Sequence, residues 1–305
     1  MKRLWKKIIF FCLLLLMCSG CGKQERKRLE VDIRYNGNDY WEKYDMTDTL
    51  YPTPEALQKR TEEYIVQIED ILHLYNWWEY LNEQAEILII NVTIEEGNSH
   101  ARFLSLAAEN EVKTNIKLGA ELILISKLDG RLAHELTHTI VGDSFSRSLS
   151  EGLSEYTQGR LGPENYEESY GWTWEETFKL YLNTIQEKGY SSDNLEDIIS
   201  NVGVEGYEYP YLGNGVLVSN MENDIWYHYS RDFVEYLVEQ YGIEKVVSFI
   251  QEGETEADYE TYFGKAFEDI KEEWVEHLDN IEPPMTWEEM AEAEKEWRES
   301  QIKNE

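Results

Sequence analysis

The stretch Arg131–Tyr156, RLAHELTHTIVGDSFSRSLSEGLSEY, decides how the rest of this chain is read. Its first part suits a helix over about 130–141, with Asp129 placed to cap the start and Gly142 to stop it. On that helix Leu132, Leu136 and Ile140 form one apolar stripe at i, i+4 and i+8. His134 and His138 stand four residues apart and project about 200° round from the stripe. A second helix is expected over about 148–158, with Leu149, Leu153 and Tyr156 on one face and Glu151 and Glu155 on the opposite one. The short link between them, 142–147, folds the pair back as an antiparallel hairpin. Both helices then bury leucines on one side and meet with histidines against glutamates.

That meeting has a chemistry. Two imidazoles one helical turn apart reach a single tetrahedral ion, and Glu135 between them is placed as a general base for a bound water. Catalysis of this kind needs a third protein ligand and an open fourth position. A layout with glycine three residues and a third histidine six residues after the second His is absent, because Val141 and Ser144 hold those positions. The inverted His-x-x-Glu-His order is absent too. What remains is a glutamate from the next helix, and both Glu151 and Glu155 lie on the right face.

The N-terminus belongs to another regime. Lys2, Arg3, Lys6 and Lys7 precede the apolar run Ile8–Met17, followed by Cys18-Ser19-Gly20-Cys21. The run is short for a membrane span and suits a signal peptide over 1–20. Small residues at 19 and 20 before Cys21 resemble the lipobox of bacterial lipoproteins, with Cys18 where leucine is usual. That resemblance implies cleavage before Cys21, a lipid on its sulfur, and residues 21–30 as lipidated cysteine and tether. The other reading is an uncleaved N-terminal anchor, and both place the remainder outside the cytoplasm. Cys12, Cys18 and Cys21 are the only cysteines, so the exported part has no disulfide and depends on its core, or on core plus metal. The formal net charge of −33 repels phosphate backbones and argues against nucleic acid as a partner.

Elsewhere the period changes along the chain. Thr53 and Pro54 open a helix expected to reach about residue 82, through Leu57, Ile65, Ile68, Leu72 and Tyr75. Short β-branched runs at 86–94, 101–107, 112–118 and 121–127 suggest a small sheet. From 129 onward the pattern is helical, at about 130–141, 148–158, 173–188, 222–241, 243–251, 266–278 and 286–299. The expected class is α+β, mainly α-helical. A helix and sheet lobe with the motif helix (31–143) would be followed by a helical C-terminal lobe (144–305), with the site in the cleft.

His134-Glu135-Leu-Thr-His138 followed by Ser150-Glu151-Gly152-Leu153 resembles the gluzincin metallopeptidases, especially the peptidase MA-like domains related to thermolysin and aminopeptidase N. The likeness continues in FVEYLVEQYGIEKVVSFI (233–250) and FGKAFEDIKEEWVEHL (263–278), which look like the helical C-terminal lobe of such chains. It implies a thermolysin-like fold, one Zn²⁺ held by His134, His138 and Glu151, and Glu155 hydrogen-bonded behind a zinc-binding histidine. AAEN (107–110) has a slight likeness to the amine-binding motif of aminopeptidase N. Relatives take an oxyanion donor from a helix of the C-terminal lobe, which carries onto Tyr227, with His228 and Tyr229 as the neighbouring choices. On this helix Phe233, Tyr236, Leu237 and Tyr241 would line the buried side. The other histidines, at 73, 100 and 277, read as ordinary helix or loop residues.

The resulting expectation is a lipid-anchored, extracytoplasmic zinc peptidase acting on a peptide or protein substrate, with Glu135 as base. The alternative is a non-catalytic surface lipoprotein that keeps the metal hairpin as a structural staple and uses its acidic lobe for binding. Nothing in the sequence bears on oligomeric state.

Overall fold

The computed structural model describes residues 27–35, 49, 51–95, 99–102, 104–119, 130–142, 144–161, 173–187, 192–205, 220–283, 285, 286, 288, 289 and 292. The signal segment, Cys21, the strand expected at 121–127, Asp129 and most of the helix expected at 286–299 lie outside these residues. Among them no helix is long and apolar enough to cross a membrane. The molecule is α+β and mainly helical, with one small mixed sheet.

Strands β1 (Glu30–Tyr35), β2 (Ile87–Glu95) and β5 (Glu111–Gly119) lie side by side and parallel, with Ile33 opposite Ile90 and Ile90 opposite Thr114. On the other side of β5, strands β3 (His100–Ala101) and β4 (Ser105–Ala108) pair with it antiparallel. The strand expected at 101–107 is thus two short pieces. Strand β1 was not expected. Its sequence, EVDIRY, buries only Ile33 fully and otherwise looks like a polar tail, because an edge strand needs few apolar residues.

Helix α1 (Pro54–Leu72) is the crossover from β1 to β2 and starts as expected. The Thr53 hydroxyl accepts from the Ala56 amide at 3.2 Å, and Pro54 stands where a missing amide costs nothing. It ends at Leu72 rather than near 82. His73 takes a left-handed φ of 52° and its amide bonds back to Glu69, and Asn76 follows with φ 56°. The chain then turns so that Trp77 and Trp78 enter the core, which is why apolar residues continue past the helix end.

Helix α2 (Arg131–Val141) carries the motif and lies on the sheet, where Thr139 Oγ1 meets Thr114 Oγ1 of β5 at 3.3 Å. Gly130 is its N-cap, and no side chain caps it. Gly142 ends it at φ 88°, a conformation that excludes most residues with a Cβ. Helix α3 (Arg147–Leu161) follows, and then α4 (Trp174–Glu187), α5 (Ser192–Ser200) and α6 (Asn220–Tyr241). Helices α7 (Ile243–Glu252), α8 (Asp258–Phe263) and α9 (Phe267–Asp279) come next among the described residues. Helices α5 and α8 escaped the sequence reading, because each is short and its apolar pattern spans a single turn. One apolar core runs from Ile33 in the sheet to Leu278 in α9.

Helix α3 rests directly on α6, and Gly152 makes the approach possible. A Cβ there would stand 2.2 Å from the Ser230 carbonyl oxygen and 2.9 Å from Val234 Cγ2. The first obstacle is backbone, so relief requires the helices to part. Gly152→Ala is therefore expected to destabilise the fold by about 1–3 kcal/mol or more, even though alanine is the better helix former. Denaturant unfolding of the two proteins measures it.

Candidate metal centre

The hairpin forms as its spacing implied. His134 faces Glu155 and His138 faces Ser150, so α2 and α3 run in opposite directions. The leucine stripes are buried on the far side, with Leu132, Leu136, Leu149 and Leu153 all at 1% exposure or less. His134 and Glu135 are themselves buried, at 4% each.

Three donor atoms converge between the helices. His134 Nε2 and His138 Nε2 are 3.2 Å apart, and each is 3.2 Å from Glu151 Oε2. A tetrahedral zinc with bonds of about 2.0–2.1 Å sets its ligand atoms about 3.3 Å apart, so the triangle has the right edges. Three electron-rich atoms this close need a cation among them, which is the sense in which these residues fit the ion.

Both imidazoles are aimed by what stands behind them. His138 Nδ1 is 3.1 Å from Ser150 Oγ. Glu155 Oε1 comes within 3.1 Å of His134 Nδ1, near enough for a charge contact though out of line for a hydrogen bond. The second nitrogen of each ring is thereby occupied and Nε2 faces inward.

The electrostatics follow from burial and crowding. Burial alone would lower His134, but the Glu151 and Glu155 carboxylates outweigh it and lift the imidazole to about 10. Burial works equally against Glu155, and the His134 contact and the nearby Arg131 charge still hold it at about 2. Glu151 is pulled well below the carboxylate range by the two histidines, against its burial. Glu135 moves the other way: burial raises it, with His134 and His138 opposing. Without a metal the triangle thus keeps a proton in the place the ion fits.

Metal uptake must displace that proton, and the sign of the pH effect follows. The folded value of His134, about 10, lies above its ordinary 6.5. The proton's contribution to metal-free stability is therefore complete below 6.5 and is lost as pH rises through about 10. A zinc ion taken up there would bind more tightly over the same interval, with about one proton released per ion. The thermal midpoints of zinc-loaded and chelated protein should draw apart as pH rises from about 6.5 to about 9. A gap that is constant over this range would contradict the assignment.

Tyr227 reaches the site from α6. It is half-buried and lies close enough to Arg147 for the two groups to interact electrostatically. Burial first, and then the Glu151 charge, push its phenol far above the ordinary range, so it stays neutral. Tyr229 instead packs in the core against Phe178 and Trp274. His228 lies among the rings of Trp174, Phe178 and Tyr181, and burial takes it down to about 4. Phe233, Tyr236 and Leu237 line the buried side of α6 as expected, with Tyr241 partly exposed against Phe263.

Sequence reasoning passed over Arg147 and Ser150, both of which touch the ligands. The signal was available for Arg147, four residues before Glu151, but the helix had been started one residue too late to include it. AAEN (107–110) is the end of β4 and the turn into β5, tied by Asn110 Nδ2 to Glu86 and by the Glu109 carbonyl to Asn82. Compared with protein-family models, with curated proteins and with solved structures, the chain finds no match.

A second group of potential donors, Glu175, Glu239 and His277, has ligand atoms within 4.8 Å of one another. It lies nearer the surface, where His277 Nε2 is 3.0 Å from Glu175 Oε1. His73 is likewise at the surface, 3.1 Å from Glu244.

Proposed function

We propose that this protein is a zinc-dependent peptidase held outside the cytoplasm by a lipid on Cys21, with a thermolysin-like arrangement of its site. The single observation that carries the reading is the equilateral 3.2 Å triangle of His134, His138 and Glu151 with Glu135 buried on the same helix. A structural staple needs the three ligands but has no use for a buried carboxylate between the histidines.

A zinc ion in this triangle supplies Lewis acidity toward a peptide carbonyl and lowers the pKa of water toward about 7. Glu135 takes a proton from the attacking water as its oxygen bonds to the carbonyl carbon. It then returns that proton to the amine nitrogen as the C–N bond breaks. Its raised affinity for protons, a consequence of burial, suits both halves of that task. Tyr227 donates its neutral O–H to the carbonyl oxygen as charge builds there. The described sheet ends at β3, which lies beside α2, and offers an edge where an extended peptide can add its main-chain hydrogen bonds.

The test is cleavage of a peptide library by the chain from residue 22 onward, read by mass spectrometry. Activity should require zinc, vanish with a chelator and return on zinc addition. Stoichiometric zinc without any cleavage would favour the staple. Tyr227→Phe should lower turnover by roughly 10²–10³-fold with metal content unchanged. Wild-type turnover in that variant would remove Tyr227 from the mechanism.

A further inference from the structure

We propose that Arg147 is a positioning residue of this centre: it holds Glu151 to a single donor oxygen and, through the same guanidinium, aims the Tyr227 hydroxyl. The inference rests on the zinc reading of the triangle and concerns how its third side is held.

The two oxygens of Glu151 have separate surroundings. Oε2 is the atom shared by both imidazoles, whereas Oε1 lies 3.4 Å from Arg147 Nε. Arg147 opens α3 about one turn before Glu151, a spacing that stacks the two side chains on one face. The same guanidinium lies close enough to Tyr227 of α6 for the two groups to interact electrostatically, so it links the ligand helix to the helix that supplies the donor.

Stability is a poor explanation for this contact. The Arg147 side chain is 41% exposed, and an ion pair so open to water stabilises a fold little. Geometry is the better one. A planar guanidinium has five N–H donors in a rigid fork and can serve a carboxylate and a phenol oxygen together. An N–H given to the Tyr227 oxygen leaves the phenol proton free to point elsewhere, toward a substrate carbonyl. An N–H given to Oε1 keeps that oxygen off the metal, so Glu151 binds through Oε2 alone. A lysine has the charge without the fork and cannot hold both partners in a fixed relation.

The experiment compares the full-length wild type with Arg147→Ala and Arg147→Lys, each loaded with zinc. Chelator competition gives the affinity and zinc X-ray absorption gives the ligand set. Both variants should still take up one zinc, with affinity lowered by roughly 10–100-fold, the usual effect of removing a group that orients a ligand. Their spectra should gain an oxygen neighbour as Glu151 becomes bidentate. In turnover, Arg147→Ala should cost less in the Tyr227→Phe background than in the wild type, since part of its effect runs through that hydroxyl. Wild-type affinity and an unchanged spectrum in both variants would overturn the proposal, as would a lysine variant that behaves like the wild type. A wild type that binds zinc but cleaves nothing would count against the peptidase reading, while affinity and spectrum would still decide for or against Arg147.

Discussion

Glu135→Gln is expected to bind zinc as the wild type does and to lose roughly 10²–10⁴-fold or more in turnover. Glutamine has nearly the shape of glutamate and cannot take a proton. It leaves His134, His138 and Glu151 untouched, so metal content measured alongside activity separates the base from the ligands. The folded state should tolerate the change well. Burial already disfavours the Glu135 charge, and replacing the desolvated carboxylate with a neutral amide removes that cost. A loss of activity accompanied by loss of zinc would mean that Glu135 acts through the site's structure. Retained activity would remove it from the mechanism altogether.

Glu151 and Glu155 should fail in different ways. Glu151→Ala removes the oxygen at 3.2 Å from both Nε2 atoms and should leave most of the protein without metal after dialysis. Glu155→Ala removes a group on the outer, Nδ1 side of His134 and should weaken affinity by only about 10–100-fold. The metal-free proteins should agree in one respect, because both carboxylates hold the His134 proton and either loss lowers that imidazole's pKa. Zinc content after dialysis, followed by chelator competition, orders the two variants. The reverse order would put the third ligand one turn further along α3.

Much of this centre was legible because it is built from two adjacent helices with a short link. Helical spacing alone puts His134 and His138 on one face, and Glu151 and Glu155 on another, with the leucines of each helix opposite. The choice between the two glutamates was not a matter of spacing, since both satisfy it. It came from likeness to a family, and the geometry agrees: Glu151 points at both Nε2 atoms and Glu155 at Nδ1. The early end of α1 was hidden for the opposite reason. Apolar residues continue past Leu72, and only the left-handed backbone of His73 shows that Trp77 and Trp78 fill the core from a turn.

Local chemistry in the sequence therefore determined the motif helix, its capping glycine, the facing carboxylates and the mainly helical class. These depend on residues within a few turns of one another, where periodicity and propensity act directly. Tertiary structure decided what depends on distant segments. It placed EVDIRY as an edge strand beside β2, and it brought Ser230 so close to α3 that position 152 has no room for a side chain. It also carried Tyr227 across from α6 to Arg147 and sent its neighbour Tyr229 into the core. Residues two apart on one helix point about 200° apart, so the packing of α6 against α3, which no local pattern encodes, selects which tyrosine faces the candidate centre.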